Sequence, residues 1–262
     1  MKRTLIDKIP IIIPSELNTL VEGARIYDSS CSPEARVYFI DKGDGFYLKS
    51  AAGGSLGGEA GMTAYFHSLG LGTEVMHYST FEGRDYLLTR RVAGEDCTHA
   101  EYLKNPEKLC DTIATKLREL HETDISGCPV PDHTQRYLTT VRQNYAKGAY
   151  DTSLFPDNWG YASADEAYRA VMQNEHRLRC DTLLHGDYCL PNVMLNDWRL
   201  SGFIDVGNGG VGDRHVDLFW GAWTLNFNLK TDRYRNRFLD AYGRDAIEPE
   251  MLDIIAACEV FG

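Results

Sequence analysis

A chain of 262 residues with 43% hydrophobic and 25% charged side chains can bury a core as one large domain or as two lobes around a cleft. It has no apolar run near the ~20 residues of a membrane span. Lysine and arginine number 27 against 38 aspartates and glutamates, and the net charge of −11 argues against nucleic acid as a partner. Seven scattered cysteines with no C-x-x-C predict reduced thiols and no zinc site. Asp7, Lys8 and Pro10 interrupt any signal-peptide core, so a cytoplasmic protein without a membrane segment is expected.

Residues 11–13 lie between two prolines, and Ser15 could cap a short helix running to Leu20. Residues 35–40 and 45–49 read as strands of a hairpin, turned by Asp41-Lys42-Gly43-Asp44, with Lys49 ending the second strand. The Gly-rich segment 51–58 is a loop. A helix follows from Glu59, with Met62, Tyr65, Phe66 and Leu69 on one face, and Gly70 and Gly72 close it. Residues 74–78 and 86–89 are further strands. The pattern predicts an α+β fold in which an antiparallel sheet with one main helix fills residues 1–90. A linker, or hinge, covers 91–97, and a larger, mainly helical lobe covers 98–262. In that lobe Leu109, Ile113, Leu117, Leu120 and His121 share a helical face. Residues 137–145 form another helix, and Ser163 with Glu166 has capping-box spacing. Residues 217–225 read as a buried helix, Tyr234, Phe238, Leu239 and Tyr242 mark the next, and Pro249 opens the last.

Charge is uneven. Residues 1–149 hold 20 acids and 17 bases, a balance of −3, and residues 150–262 hold 18 acids and 10 bases, a balance of −8. That field would attract a cation, although an acidic surface also serves solubility.

Two constellations carry chemistry. In Leu184-His185-Gly186-Asp187-Tyr188-Cys189-Leu190-Pro191-Asn192 a carboxylate is followed five residues on by an amide. In Gly202-Phe203-Ile204-Asp205-Val206-Gly207 an apolar run ends on a second carboxylate. Between them, residues 193–195 and 199–204 read as a hairpin with Asn196-Asp197 in its turn, which would bring Asp187, Asn192 and Asp205 to one end. Two carboxylates and an amide oxygen are hard ligands that magnesium accepts, with phosphate and water filling the remaining positions. The spacing is close to that of kinases. Asp187 would take the proton of an attacking hydroxyl, and Asn192 and Asp205 would hold magnesium. Each residue alone has a plainer reading, a helix cap or a turn filler.

Lys49 on a hairpin strand followed by Glu59 at the next helix start is again the kinase order, with Lys49 on nucleotide phosphates and Glu59 fixing it. No Walker A or G-x-G-x-x-G pattern is present. The turn around Ser32 precedes the first strand of the hairpin, and Tyr47 is the better candidate for contacting adenine. The Gly-rich run 207–212 is weak evidence by itself. His185 and His215 read as packed histidines, and the aromatic run 219–223 as helical core.

These residues resemble the aminoglycoside 3'-phosphotransferases. The core match is His185-Gly186-Asp187, Cys189-Leu190-Pro191-Asn192, Ser201 to Asp205 with Gly207, and Asp213-Arg214 with Asp217-Leu218. Ser32-Pro33, Tyr47-Leu48-Lys49, Glu59, Gly94, Leu120-His121 and Asn158-Trp159 follow in matching order. The resemblance implies a two-lobe, protein-kinase-like fold and transfer of the γ-phosphate of ATP, or of GTP as the alternative donor, with magnesium, to an aminoglycoside or similar cationic small molecule. It implies Asp187 as the catalytic acid, Asn192 and Asp205 as metal ligands, Lys49 on phosphate and Glu59 orienting it. Ser32 would lie over the phosphates and Tyr47 on adenine, with Arg90 and Val92 meeting the adenine edge through their backbone. Asp157 and Glu259 would hold the antibiotic's ammonium groups. Asn208 stands where the family usually has Arg, the helix after Asp217 lacks an expected Arg, and the ending Cys258-Glu259-Val260-Phe261-Gly262 carries one acid instead of a pair. Two other readings share the machinery: a kinase-like phosphotransferase for another small hydroxylated molecule, and a non-catalytic nucleotide-binding homologue. Nothing in the sequence sets the oligomeric state.

Overall fold

The computed structural model describes residues 3–151 and 160–262. In chain order the strands are β1 (Thr4–Ile6), β2 (Arg25–Asp28), β3 (Arg36–Asp41), β4 (Phe46–Ala52), β5 (Val75–Phe81), β6 (Arg84–Arg90), β7 (Glu95–Asp96), β8 (Thr182–Leu184), β9 (Val193–Asn196), β10 (Arg199–Phe203) and β11 (Gly210–Gly212). The helices are α1 (Asn18–Val21), α2 (Gly57–Ser68), α3 (Ala100–Leu103), α4 (Pro106–His121), α5 (His133–Lys147), α6 (Ala164–Asn174), α7 (His215–Leu229), α8 (Arg235–Tyr242) and α9 (Pro249–Glu259). Packing gathers them into two units, Met1–Cys97 with Pro191–Gly207, and Thr98–Leu190 with Asn208–Gly262.

The first unit is built on an antiparallel sheet of order β1-β2-β3-β4-β6-β5. Alternation assigns its faces. Tyr38, Ile40, Leu48, Tyr86 and Leu88 pack one face against Ile9, Leu17 and Ile26. Ala51 and Leu87 point the other way, onto Leu56 and Ala60 at the start of α2. Lys49, paired with Leu87 and two residues from Ala51, lies on that second face. It does not end its strand as the sequence suggested. Ser50, Ala51 and Ala52 continue the ladder opposite Tyr86, Asp85 and Arg84, so β4 runs three residues further. The N-terminal segment also differs. Ser15 is not a helix cap: its hydroxyl bonds the Glu16 carboxylate, and a 3₁₀ turn at Ser15–Leu17 leads into α1. The short β1 and β2 give too few alternations to register as strands in the sequence.

The hairpin of β9 and β10 belongs to the first unit, not to the lobe that follows it in sequence. β9 pairs with β7, and the Phe203 N–H donates to the Leu71 carbonyl at 2.7 Å. These bonds tie residues 191–207 to the preceding unit. At Gly94, φ is +87° and a Cβ would lie 2.1 Å from the Leu195 carbonyl oxygen, so glycine is needed where the chain leaves β6 and meets β9. The hairpin turn is one residue later than expected. Asn196 pairs with Arg199, and Asp197 and Trp198 are both left-handed, at φ 50° and 63°.

The second unit is mainly helical. Leu109, Ile113, Leu117 and Leu120 of α4 are buried along the expected face, and so is His121. Ser163 caps α6, its hydroxyl accepting the Glu166 N–H at 3.1 Å, while the Glu166 carboxylate accepts from the Ala162 N–H at 2.9 Å. Leu138 and Val141 of α5, Ala167 and Val171 of α6, and Ala257, Cys258 and Phe261 at the end of α9 share one apolar cluster. α7 is buried over most of its circumference, as a continuous apolar segment should be. The Gly-rich run is partly strand, since Gly210–Gly212 pairs with Thr182–Leu184. Among the described residues, no helix is long and apolar enough to cross a membrane.

Candidate active site

The first unit contains a cavity of about 980 Å³, within the range of small-molecule sites. Its walls hold Ser32, Tyr47, Lys49, Glu59, Arg90, Val92, Asn192 and Asp205, every site residue the sequence reading assigned to nucleotide or metal. Val37, Ala51, Leu87, Met194 and Ile204 give it an apolar lining.

Lys49 is the electrostatic centre. Its Nζ donates to both Glu59 oxygens, at 2.9 and 2.8 Å, and to Asp205 Oδ1 at 2.7 Å. Burial opposes the charge on Lys49, but Asp205 and Glu59 outweigh it and hold the lysine above its ordinary pKa. Burial raises the Glu59 pKa. Lys49 pulls it down, and Asp205, a like charge, pushes it up again. One ammonium thus serves two carboxylates.

Asn192 and Asp205 come together through the hairpin register. Val193 pairs with Phe203, and one step outward the Ile204 N–H donates to the Asn192 carbonyl at 3.1 Å. Asp205 takes φ +58°, and its side chain is 50% exposed. The donor set fits a hard divalent cation. Asp205 already binds a cationic group, and Asn192 offers an amide oxygen on the same cavity wall. Among the described residues, no three His, Cys, Asp or Glu side chains form a metal cluster by themselves. A magnesium ion here would therefore complete its shell with phosphate and water oxygens.

The remaining cavity residues suit a nucleotide base. The Arg90 N–H is committed to the Glu74 carbonyl at 3.0 Å, and its carbonyl accepts the Thr73 hydroxyl. The Arg90 carbonyl keeps a second lone pair, and Val92 makes no backbone hydrogen bond among the described residues. The Tyr47 ring lies 5.1 Å from Phe39, and its hydroxyl accepts from the Arg3 guanidinium, which sits 3.8 Å over the Phe39 ring. Arg3 is a cavity residue that no sequence pattern singled out. Ser32 is exposed. Asp28 and Ser30 tie the turn before β3: the Ser30 N–H donates to Asp28 Oδ1 and the Val37 N–H to Ser30 Oγ, both at 2.9 Å.

Asp187 lies in the second unit, three residues before the chain passes from Leu190 to Pro191 of the first. A buried carboxylate on the helix that follows three intervening strands shapes its loop. Asp217 of α7 accepts from the His185 N–H at 2.7 Å and the Gly186 N–H at 2.8 Å. His121 Nε2 bonds the same carboxylate at 3.2 Å, and His121 Nδ1 bonds the Tyr242 hydroxyl at 2.8 Å. Burial drives the His121 pKa down against the pull of Asp217, so the ring is neutral, donating from Nε2 and accepting at Nδ1. Burial works against ionised Asp217 as well, yet His121 and the loop amides hold its pKa below the ordinary value. At the other end of the loop the Leu190 N–H donates to Thr224 Oγ1 at 3.1 Å. Burial, then the neighbouring Asp187 carboxylate, raises the Cys189 thiol pKa, so this cysteine is a neutral neighbour. His185 and His215 are buried. His215 Nδ1 lies 2.6 Å from Asp213, and its Nε2 accepts the Glu248 N–H.

Glu259 is also in the second unit. Its Oε1 accepts from the Tyr137 hydroxyl at 2.6 Å and from Trp220 Nε1 at 3.2 Å. Some of its surface meets solvent, but protein crowds the carboxyl, and burial pushes its pKa up to about 7. The Tyr137 and Trp220 bonds resist that rise, and the Asp187 charge adds to it. The two acids therefore share a neighbourhood. Asp157 lies outside the described residues. No local pattern marked Asp217, His121, Tyr137 and Trp220 for the site, because each meets its partner there from a distant element.

Residues 33–253 match the phosphotransferase enzyme family (APH). A probable aminoglycoside 3'-phosphotransferase of Lactococcus lactis subsp. lactis is 49% identical over 249 residues, covering 95% of each chain. The streptomycin 3''-kinase of Streptomyces griseus is 32% identical over 181 residues, 65% of this chain and 64% of that one. Among solved structures, an aminoglycoside-3'-phosphotransferase of type VIII aligns with TM-score 0.77 and 24% identity over 94% of this chain and 97% of its own. An aminoglycoside phosphotransferase of Streptomyces rimosus in complex with ADP and streptomycin aligns with TM-score 0.70 and 22% identity, over 87% and 91%. The fold is the kinase-like one of these phosphotransferases. The chain belongs to the phosphotransferase enzyme family.

Proposed function

We propose that the protein is an O-phosphotransferase that uses ATP and magnesium to phosphorylate the 3'-hydroxyl of an aminoglycoside antibiotic, a reaction that confers resistance. The observation that carries this reading is the single cavity holding Lys49, Glu59, Asn192 and Asp205, with Lys49 bonded to both acids. Lys49 binds the nucleotide phosphates, and Glu59 keeps its ammonium in place. Magnesium, when bound by Asn192 and Asp205, would neutralise the phosphate oxygens. Asp187 orients the acceptor hydroxyl and takes its proton as the oxygen bonds the γ-phosphorus. The bond from that phosphorus to the β,γ-bridging oxygen breaks, and ADP leaves. Glu259 in its ionised form holds a substrate ammonium by a charge-assisted hydrogen bond. Asp157, outside the described residues, is a second candidate for that role. A cytoplasmic site of action, where ATP is available, is part of the same reading. GTP is the alternative donor.

A second reading keeps the chemistry and changes the acceptor to another small hydroxylated molecule. The Glu259 oxygen already bonded to Tyr137 and Trp220, together with Asn208, favours it on the substrate side. ADP formation measured over kanamycin-type aminoglycosides and other hydroxylated amines decides. Turnover with an aminoglycoside, and a product phosphorylated at the 3'-position, supports the first reading. Turnover only with another alcohol moves the assignment to the second, and no ATP turnover with any acceptor removes both.

A further inference from the structure

Asp85 has no solvent exposure, and it sits on β6 outside the set of residues so far given a role in the chemistry. Four donors surround its carboxylate. The Thr80 hydroxyl donates to Oδ1 at 2.7 Å, and the Leu56 N–H and the Tyr78 hydroxyl donate to Oδ2 at 2.9 and 3.1 Å. The backbone of Gly54 supplies the fourth. Burial opposes ionisation, but these bonds prevail and bring the Asp85 pKa down to about 2, so the group is a carboxylate throughout the working range.

The position of the donors carries the inference. Leu56 is the N-cap residue of α2, and it has no side chain able to cap. The helix start is therefore held from the sheet, by an acid 29 residues further along the chain. Register puts that acid on the face that carries Lys49. Asp85 pairs with Ala51, and Leu87, two residues on, pairs with Lys49. Glu59 is the third residue of α2, close enough to its start for a shift of the first turn to move its carboxylate relative to Lys49. The negative charge also lies at the positive end of the helix dipole.

We propose that Asp85 is a positioning residue for the phosphate-binding lysine, capping α2 from the neighbouring strand and so fixing the direction in which Glu59 reaches Lys49. The inference rests on the nucleotide-site reading above. A purely structural Asp85 would lower stability and act on turnover independently of Glu59.

A double-mutant cycle separates the two. Kinetics for ATP are measured in the full chain for Asp85→Asn, Glu59→Ala and the pair, together with amide exchange at residues 54–60. Asp85→Asn alone is expected to lower kcat/KM for ATP at least roughly tenfold, with the KM for the acceptor unchanged. In the Glu59→Ala background the same substitution is expected to change kcat/KM less than about twofold. Exchange in the first turn of α2 should speed up in Asp85→Asn and stay unchanged in Glu59→Ala. Equal loss in both backgrounds, or unchanged exchange, overturns the positioning role. Should Glu59→Ala leave ATP kinetics intact, the nucleotide-site reading fails, and the proposal fails with it even if exchange reports the cap. If Asp85→Asn does not fold, Thr80→Val removes one donor and should give the same pattern at smaller size; additive behaviour of Thr80→Val and Glu59→Ala refutes the proposal equally.

Discussion

Asp187 and Glu259 are two acids of the same unit for which we propose different work, and their surroundings separate them. Asp187 follows two amides that Asp217 holds in place, and its own N–H donates to His185 Nδ1 at 3.3 Å, so its backbone is fixed from both sides of the peptide. Replacing it with asparagine keeps that frame and removes the proposed base. Turnover should fall by roughly 10²- to 10⁴-fold, while a nucleotide titration returns the wild-type affinity. Turnover within a few-fold of wild type would take the base role from Asp187. Glu259 is raised from an ordinary 4.5 to about 7. Between those values the folded protein keeps a proton that the unfolded chain releases, so this group's contribution to stability declines as pH rises from 4.5 to 7. Only the ionised form can pair with an ammonium. The KM for a cationic acceptor should therefore fall as pH rises through about 7, and Glu259→Gln should flatten that profile without moving the KM for ATP. A pH profile unchanged in the glutamine variant would sever Glu259 from substrate binding. The acids proposed for the chemistry could be picked out because a kinase-type site needs such groups at fixed spacing. Asp85 and Asp217 could not, because the backbone amides they hold, at Leu56 and at His185 and Gly186, lie 29 and 31 or 32 residues away and no local pattern announces the contact.

Among the elements, helices with explicit ends were readable. Ser163 and Glu166 announce α6, Pro249 announces α9, and the apolar stripe of α4 is buried as its periodicity requires. The strands were harder. β4 runs beyond Lys49 through two alanines that local preference would assign to a loop, because they complete a ladder with β6. The hairpin turn was misplaced by one residue because a tryptophan at φ 63° is an uncommon occupant of a left-handed position. The most demanding backbone position is Gly186, beside Asp187. It has φ +83°, and a Cβ there would lie 1.9 Å from the Asn208 carbonyl oxygen. Gly186→Ala should cost about 1–3 kcal/mol from the left-handed conformation alone, and the clash adds to it. A lower melting temperature and a lower kcat should appear together. A variant with unchanged melting and full turnover would show that the loop has a second conformation open to it.

For the whole molecule, the sequence reading assumed that each lobe is a continuous piece of chain. It is not. The hairpin of β9 and β10 leaves the second unit, supplies Asn192 and Asp205 to the first, and the chain then returns. Pairing between β7 and β9 across roughly a hundred residues decides this, and no local pattern reports it. The charge balance, by contrast, is fully legible. A net charge of −11, with 18 acids against 10 bases in residues 150–262, would draw the proposed cationic acceptor inward and resist an anionic nucleotide. Salt should therefore act on the two substrates with opposite sign. The Debye length shrinks from about 10 Å at 0.1 M to about 3 Å at 1 M, which removes long-range steering and acts less on the short, half-buried Lys49 contacts. Over that range kcat/KM for the aminoglycoside should drop, while kcat/KM for ATP should hold or rise. The comparison uses a salt whose ions do not compete for magnesium. Equal losses for both substrates would mean that salt weakens the protein or the metal site rather than the field. Opposite trends would assign the excess of acids to substrate capture instead of solubility.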